Sequence, residues 1–586
     1  MKRKSDIPGV LFFLTLFIVS LVLAFSYGRK QRLASWQVLY VDGAGYYCYL
    51  PALFFAGLDP DKMPQDCAEK TGNGFRINND QKTIQTKYFY GVSFMLSPFF
   101  LATHCIAKVF HIPEEGGFAL VFEYMIQIAA AIYLILGLLL LEKVLTAWFE
   151  RKIRYLVIFI LFAGTNLFYN SLMAPSMSHV YSFFVFSVFL YSLQRFPESF
   201  RWKWFLLISF TIALSVVIRP TSGIIMILLC FWNIQSLKEF LARLRTFLKP
   251  VYLLTITGCF AVLALPQLLY WKYAFGSYLF FSYTNEGFTN WNHPFLFEVW
   301  LAPKNGLIFN APVVLFMIAG LVLMIKNKIQ NGWVLIFLFL FVSYLTASWW
   351  SWEMGCGFGH RAFVEYYAFL CIPLGFFFTR IFQSRFWIYK GIIGMLFLFF
   401  CYANFMSSWR YPGCFYGETW DFSVALYNLS KAGVYPGKVT VVRTIPPFEP
   451  TVQGLYPFND SVFQQGPGDA EVSEIYEFTG KTSKAMKDFK GGYPAVVRVN
   501  CKIMIPGGTL PGAKIVCSVE RNGQSVVWQS FEMDPLIKEQ DKWNQIVAKF
   551  DIPKGSWSDA YIKVYCWNQK HASFSLRHMI VKFCSN

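Results

Sequence analysis

The stretch Gly91-Val92-Ser93-Phe94-Met95-Leu96-Ser97-Pro98-Phe99-Phe100-Leu101-Ala102-Thr103-His104-Cys105-Ile106-Ala107-Lys108-Val109-Phe110 decides how the rest of the chain is threaded. It is apolar and close to the ~20 residues that span a bilayer, yet it contains Ser97-Pro98 and His104. If it crossed, the next apolar run, Phe118 to Leu141, would lead outward and export Lys143, Arg151, Lys152 and Arg154. Loops rich in Lys and Arg stay on the cytoplasmic side. Reading Gly91–Phe110 as an interfacial or re-entrant helix removes that conflict.

With this assignment the remaining apolar runs alternate without strain. They are 8–27, 118–141, 153–172, 177–194, 204–218, 221–237, 250–272, 306–325, 332–350, 362–380 and 388–406, about eleven crossings at the usual length. Every connection placed inside carries base: Arg195, Arg201 and Lys203; Lys238, Arg243, Arg245 and Lys249; Lys326 and Lys328; Arg380, Arg385 and Lys390. The outer connections hold only single bases such as Arg219, Lys304 and Arg361. The first run follows Met1-Lys2-Arg3-Lys4 and resembles a signal peptide, but it is long enough to span and lacks a small-x-small site before Arg29. It reads as an uncleaved helix with a cytoplasmic N-terminus. The expected location is the inner (plasma) membrane, multi-pass, with the C-terminal domain periplasmic or extracellular.

Composition agrees with this class. Of 586 residues, 55% are hydrophobic, 20% aromatic and 15% charged, against about 25% charged in soluble domains. The net charge of +18 is spread in short clusters between apolar runs, not gathered into the patch or stripe that nucleic acid requires. Thirteen cysteines show neither CxxC pairs nor zinc spacing. Cys501, Cys517, Cys566 and Cys584 lie in the tail, where their pairing is not readable.

Three regions follow. Residues 1–406 form the transmembrane domain, with 28–117 a large outer loop bearing interfacial helices; 407–470 is an irregular linker; 471–586 is a β domain. In the last, Val497, Val499, Cys501, Ile503 and Ile505 alternate with more polar neighbours, as do Ile515, Cys517, Val519 and Ile562, Val564, Cys566. Asn522-Gly523 between strand-like segments predicts a hairpin. The fold class is an α-helical polytopic membrane protein with a C-terminal, all-β, sandwich-like domain.

The polar residues of the outer face carry the chemistry. In Val41-Asp42-Gly43-Ala44-Gly45-Tyr46-Tyr47 an acid stands between glycines and tyrosines where the chain leaves the bilayer. An acid there is costly unless hydrated, paired or used. Lys87-Tyr88-Phe89-Tyr90-Gly91 opens the interfacial helix, and Lys87 alone reads equally as a snorkelling side chain. Arg219, followed by Pro220, sits at an outer junction where positive charge is normally avoided. His179 lies at another outer turn, where a structural hydrogen bond is its simplest role. In Gly355-Cys356-Gly357-Phe358-Gly359-His360-Arg361 the glycines let backbone approach a ligand, and Arg361 suits phosphate.

The order of these features resembles the multi-pass, lipid-linked-sugar glycosyltransferases of the GT-C superfamily, nearest to bacterial relatives of the protein mannosyltransferases and aminoarabinose transferases. The resemblance rests on Asp42 in the first outer loop, the Lys87–Gly91 segment and Phe358-Gly359-His360-Arg361, and covers 1–406. It implies Asp42 as base and Lys87 and Arg361 as donor-phosphate ligands; topology adds Arg219. Second candidates are Glu123, His179, His360, Tyr46 and Tyr88. Many members carry paired acids, whereas Gly43 follows Asp42 here, which leaves a divalent metal open and no metal ligand assigned. The implied partners are a polyprenyl-phosphate-sugar donor, a glycan, lipid or protein acceptor, and membrane lipid, with no nucleic acid. The rival function is a transporter or flippase of an amphipathic lipid; it predicts internal repeats and broken helices near the midplane, and the sequence shows neither.

Overall fold

The computed structural model describes residues 7–410, apart from short gaps at 34–37, 79, 200–201, 284–285 and 356, and most of 461–584. The chain divides into two compact units, the first reaching Gly413 and the second holding the C-terminal strands. Most of the expected 407–470 linker lies outside the described residues.

The first unit is helical. Five described helices have both the length and the apolar composition to cross a bilayer: Ile7–Arg29, Gly91–Val109, Leu120–Leu145, Pro250–Phe275 and Trp387–Trp409. Shorter apolar helices occupy other expected spans, namely Trp202–Ile218, Pro220–Phe231, Val314–Lys326, Gly332–Ala347 and Tyr367–Gln383, and His179–Ser199 is also helical.

Three runs that read as continuous are broken. The helix Arg151–Gly164 stops at Thr165 and resumes as a wide turn, Tyr169–Met173. Thr165 Oγ1 donates to the Leu161 carbonyl and accepts the Leu167 N–H, a side-chain substitute for the backbone ladder. A tight turn, Pro220–Ile225, precedes Met226–Phe231, and Leu307–Asn310 is parted from Val314–Lys326 around Pro312. Proline supplies no N–H to a preceding turn.

Helix Gly91–Val109 packs along the first loop. Phe100, fully buried, lies against Phe54, Phe55 and Phe122 at centroid separations of 5.7, 5.9 and 4.9 Å. Ser93 Oγ donates to the Tyr46 carbonyl at 2.7 Å, and Tyr133 Oη donates to Met95 O at 2.7 Å. The first loop also holds a small antiparallel ribbon, β1 (Arg76–Asn78) with β2 (Thr83–Gln85), which delivers the chain to Lys87.

The second unit contains β3 (Ser461–Gln464), β4 (Asp469–Val472), β5 (Phe478–Ala485), β6 (Val496–Met504), β7 (Ala513–Arg521), β8 (Gln524–Glu532), β9 (Asn544–Asp551), β10 (Tyr561–Asn568) and β11 (Phe574–Cys584). One sheet runs β5-β10-β7-β8, the other β3-β11-β6-β9, with β4 also on β11. Val497, Val499, Cys501 and Ile503 from one sheet and Ile515, Cys517, Val519, Ile562, Val564 and Cys566 from the other share one core, each at 1% exposure or less. The period-two pattern therefore reads directly as the inner faces of a sandwich. Pairing starts at β3, where Val462 faces Lys582, ahead of the Glu471 boundary that alternation suggests. Arg521 faces Gln524 across β7 and β8; Asn522-Gly523, between them, lies outside the described residues. Cys501, Cys517 and Cys566 are buried free thiols, and the side chain of Cys584 is not among those described.

Candidate active site

Asp42 opens the short helix Asp42–Tyr47. The residue before it, Val41, has φ 46° and ψ −117°, an unusual backbone for a β-branched side chain of the kind that gathers at functional sites. Gly45 is required one turn on. A Cβ there would lie 2.3 Å from the Gly74 carbonyl oxygen and 2.4 Å from a ring carbon of Tyr88. Its absence lets the Tyr88 ring close over the loop and donate its hydroxyl to Asp42 Oδ1 at 2.5 Å.

Tyr88 is itself locked by backbone contacts. Its carbonyl accepts from Tyr49 Oη at 2.6 Å, and its N–H bonds Thr86 Oγ1, which donates to the Gly45 carbonyl. Tyr270 Oη accepts the Thr86 N–H at 2.8 Å. The second oxygen of Asp42 accepts from both Nη1 and Nη2 of Arg361, each at 3.3 Å. Arg361 follows a loop in which Met354, Gly355, Gly357 and Gly359 all have positive φ. At Gly355 and Gly357 an added Cβ would meet nothing nearer than Arg361 itself, at 4.0 and 3.8 Å. A side chain at either position would therefore face Arg361.

Burial alone would push the Asp42 carboxyl up. The Arg361 charge, the Tyr88 hydrogen bond and the Lys87 charge outweigh it and hold the pKa below the ordinary carboxylate value. Burial and the facing Asp42 charge push the Tyr88 phenol up, so Tyr88 keeps its proton and donates. The Asp42 side chain still keeps 26% of its surface accessible: it is paired but reachable.

A second cluster stands beside the first. Arg219, at the break between Trp202–Ile218 and Pro220–Ile225, has extended angles of −150° and 117°. Its Nη1 donates to Glu365 Oε1 at 2.9 Å and lies 3.3 Å from His179 Nδ1. The His179 ring nitrogen is 3.2 Å from Glu365 Oε2. The Tyr46 ring lies tilted against Tyr88, centroids 4.4 Å apart, and within electrostatic reach of Arg219, Asp42 and Arg361. Tyr283 senses Tyr46, Arg219, Asp42 and Glu286. Lys87 pairs with Glu286 at 2.5 Å and lies 5.4 and 5.6 Å from the rings of Tyr88 and Tyr283.

The structure therefore gathers Asp42, Lys87, Arg219, Arg361, His179, Tyr46 and Tyr88. His360 adjoins them but is buried, its Nε2 donating to the Trp352 carbonyl at 3.0 Å. Burial first, then the nearby Arg361, pull its imidazole down to about 3 against that hydrogen bond, so it adds no charge at neutral pH. Glu123 has a different job: its carboxylate accepts the Val38 N–H at 3.3 Å, anchoring the chain on its way to Asp42.

Sequence reasoning missed Glu365, Glu286 and Tyr283. Glu365 had a signal, since an acid at the head of an apolar run invites a partner. Glu286 and Tyr283 had none, being single residues in a polar loop. The three carboxylates Asp42, Glu286 and Glu365 each face a different cation, and among the described residues no three His, Cys, Asp or Glu side chains gather to hold a metal. Carboxylates each committed to a separate cation do not make a divalent-ion site.

No family model matches the chain, and no curated protein does. Among solved structures, the apo crystal structure of the Archaeoglobus fulgidus oligosaccharyltransferase is similar, at 13% identity and a TM-score of 0.37, over 72% of this chain and 55% of that one. The chain thus spans about half the length of that neighbour. A likeness at this TM-score and identity carries no argument about the chain's role.

Proposed function

We propose that the chain is a membrane glycosyltransferase that moves a sugar from a polyprenyl-phosphate donor to an acceptor hydroxyl on the outer, periplasmic face, by one inverting displacement. The observation that carries the reading is the reachable Asp42 carboxylate, held by Tyr88 and Arg361 with Lys87 and Arg219 beside it. A carboxylate beside an acceptor hydroxyl takes its proton as the new bond forms. Cations beside a departing phosphate stabilise the charge it gains.

Arg361 links the two tasks. In the free protein it holds Asp42, and the carboxylate is a weak base. A donor phosphate competes for the same guanidinium fork, and phosphate matches that fork as well as carboxylate does. As Arg361 turns to phosphate, Asp42 loses its main countercharge and becomes more basic, so base strength rises with the donor in place. Tyr88 keeps the carboxylate aimed meanwhile. The flippase alternative has less support, because the buried acids among the described residues of the helical unit, Glu123 and Glu365, stand at or just before helix starts rather than at mid-span.

The test is transfer of a radiolabelled sugar from polyprenyl phosphate by purified protein, with donor binding measured in parallel. Asp42→Asn is expected to lower transfer by about 10²–10⁴-fold and keep donor binding. Full transfer by that variant contradicts the base assignment, and unchanged donor binding in Lys87→Ala, Arg219→Ala and Arg361→Ala removes the phosphate site.

A further inference from the structure

At the end of the helices away from Asp42, the amphipathic helix Leu237–Phe247 bridges two apolar helices. Its place is fixed by its neighbours. Trp202–Ile218 runs to Arg219 at the site, and Pro250–Phe275 ends where Tyr270 and Tyr273 bond Thr86 and Ile84. The beginnings of both helices therefore lie at the other end, and Leu237–Phe247 packs there. Phe247 lies 5.6 Å from Phe205 and 6.4 Å from Phe196, and Phe240 stacks on Phe231 at 4.9 Å. Arg243 hooks the carbonyl of Trp232.

Those contacts define the protein-facing side. At 3.6 residues per turn, Leu237, Leu241, Leu244 and Leu248 fall in an arc of about 60° next to it. Leu237, Leu241 and Leu248 are 72%, 45% and 70% exposed, so this stripe faces away from the protein. Lys238 and Arg245 form a third stripe, about 80° further round, and Lys249 follows directly after the helix. All three bases are exposed, and none has an acidic partner among the described residues. The helix's one acid, Glu239, is used at its start: its carboxylate accepts the Gln235 N–H at 2.8 Å, while its own N–H bonds Ser236 Oγ.

We infer that Leu237–Lys249 is a binding surface for anionic phospholipid headgroups on the membrane face opposite the active site. The leucine stripe enters the acyl boundary, as an interfacial helix does. The basic stripe then stands at headgroup level, where positive side chains attract anionic lipid. Charge complementarity selects the occupant: a zwitterionic surface offers Lys238, Arg245 and Lys249 no net negative charge, and an anionic one does.

The test places a fluorophore on Leu241→Cys in the full chain, with its other accessible cysteines replaced, in phosphatidylcholine bilayers containing roughly one-third phosphatidylglycerol. Spin-labelled phosphatidylglycerol is expected to quench the probe about tenfold more effectively than spin-labelled phosphatidylcholine, with the ratio falling as salt rises. In Lys238→Gln/Arg245→Gln/Lys249→Gln both lipids should still quench, now equally. Equal quenching in the unaltered chain, a preference surviving in the triple variant, or no quenching by either lipid overturns the assignment.

Discussion

Two arginine–carboxylate pairs stand side by side in this protein, their arginines equally accessible at 19% and their carboxylates differently buried. Asp42 and Arg361 meet through two 3.3 Å contacts, with 26% and 19% of their side chains accessible. Glu365 and Arg219 meet at 2.9 Å, and Glu365 is only 3% accessible. Tyr88 completes the first pair and His179 the second. A reachable pair can exchange one partner for an incoming phosphate. A buried carboxylate cannot release its cation without leaving an uncompensated charge. The first pair therefore suits chemistry, and the second suits holding Arg219 in place.

Substitutions should separate the two. The largest effect is expected from Asp42→Asn, which removes proton acceptance at similar size: transfer should fall by about 10²–10⁴-fold, with donor binding kept or tightened as Arg361 is freed, and a loss of thermal stability well below that of a fully buried pair. Next is Glu365→Ala, where loss of a buried partner is expected to cost about 3–5 kcal/mol, visible as a clear drop in melting temperature in detergent. If both variants lose only stability, or both lose only rate, the contrast between the pairs fails.

Arg361→Ala should weaken donor binding by about tenfold to a hundredfold, the worth of one charge-assisted contact. It should also raise the Asp42 pKa, since the main countercharge is gone. In the unaltered protein that pKa is depressed, so Asp42 stays ionised even as pH falls through the ordinary carboxylate range, and its contribution to stability is lost only as pH falls through the lowered value. The pH profile of kcat/KM should accordingly have no acidic limb from Asp42 between about pH 8 and pH 5, while the Arg361→Ala profile gains one nearer neutrality. Identical profiles would contradict the pairing. Outside labelling should reach cysteines introduced at 60–85 but not at 240–248; labelling at 145–152 would make Gly91–Val109 a crossing.

The reach of sequence reading follows from what each feature depends on. The sandwich was legible because burial on one face of a strand repeats every second residue, from Val497 to Ile503 and from Ile515 to Val519. Asp42, Lys87 and Arg361 were legible because each interrupts an apolar or glycine-rich context where charge needs a reason. Their pairing was not, since Asp42 and Arg361 are 319 positions apart and no local pattern encodes such a contact. The contact of Glu123 was hidden for the same reason: its Val38 partner lies 85 positions away. The helix breaks at Thr165 and Pro312 were hidden because apolar composition persists through a change of backbone path.

The most direct measurement is a density map of the protein with a non-transferable polyprenyl-phosphate-sugar analogue. The account predicts phosphate density against Arg361, with Arg219 and Lys87 nearby, and the sugar's anomeric carbon facing an Asp42 carboxylate that has parted from Arg361. Phosphate bound away from these residues, with the Asp42–Arg361 pair intact, would contradict it.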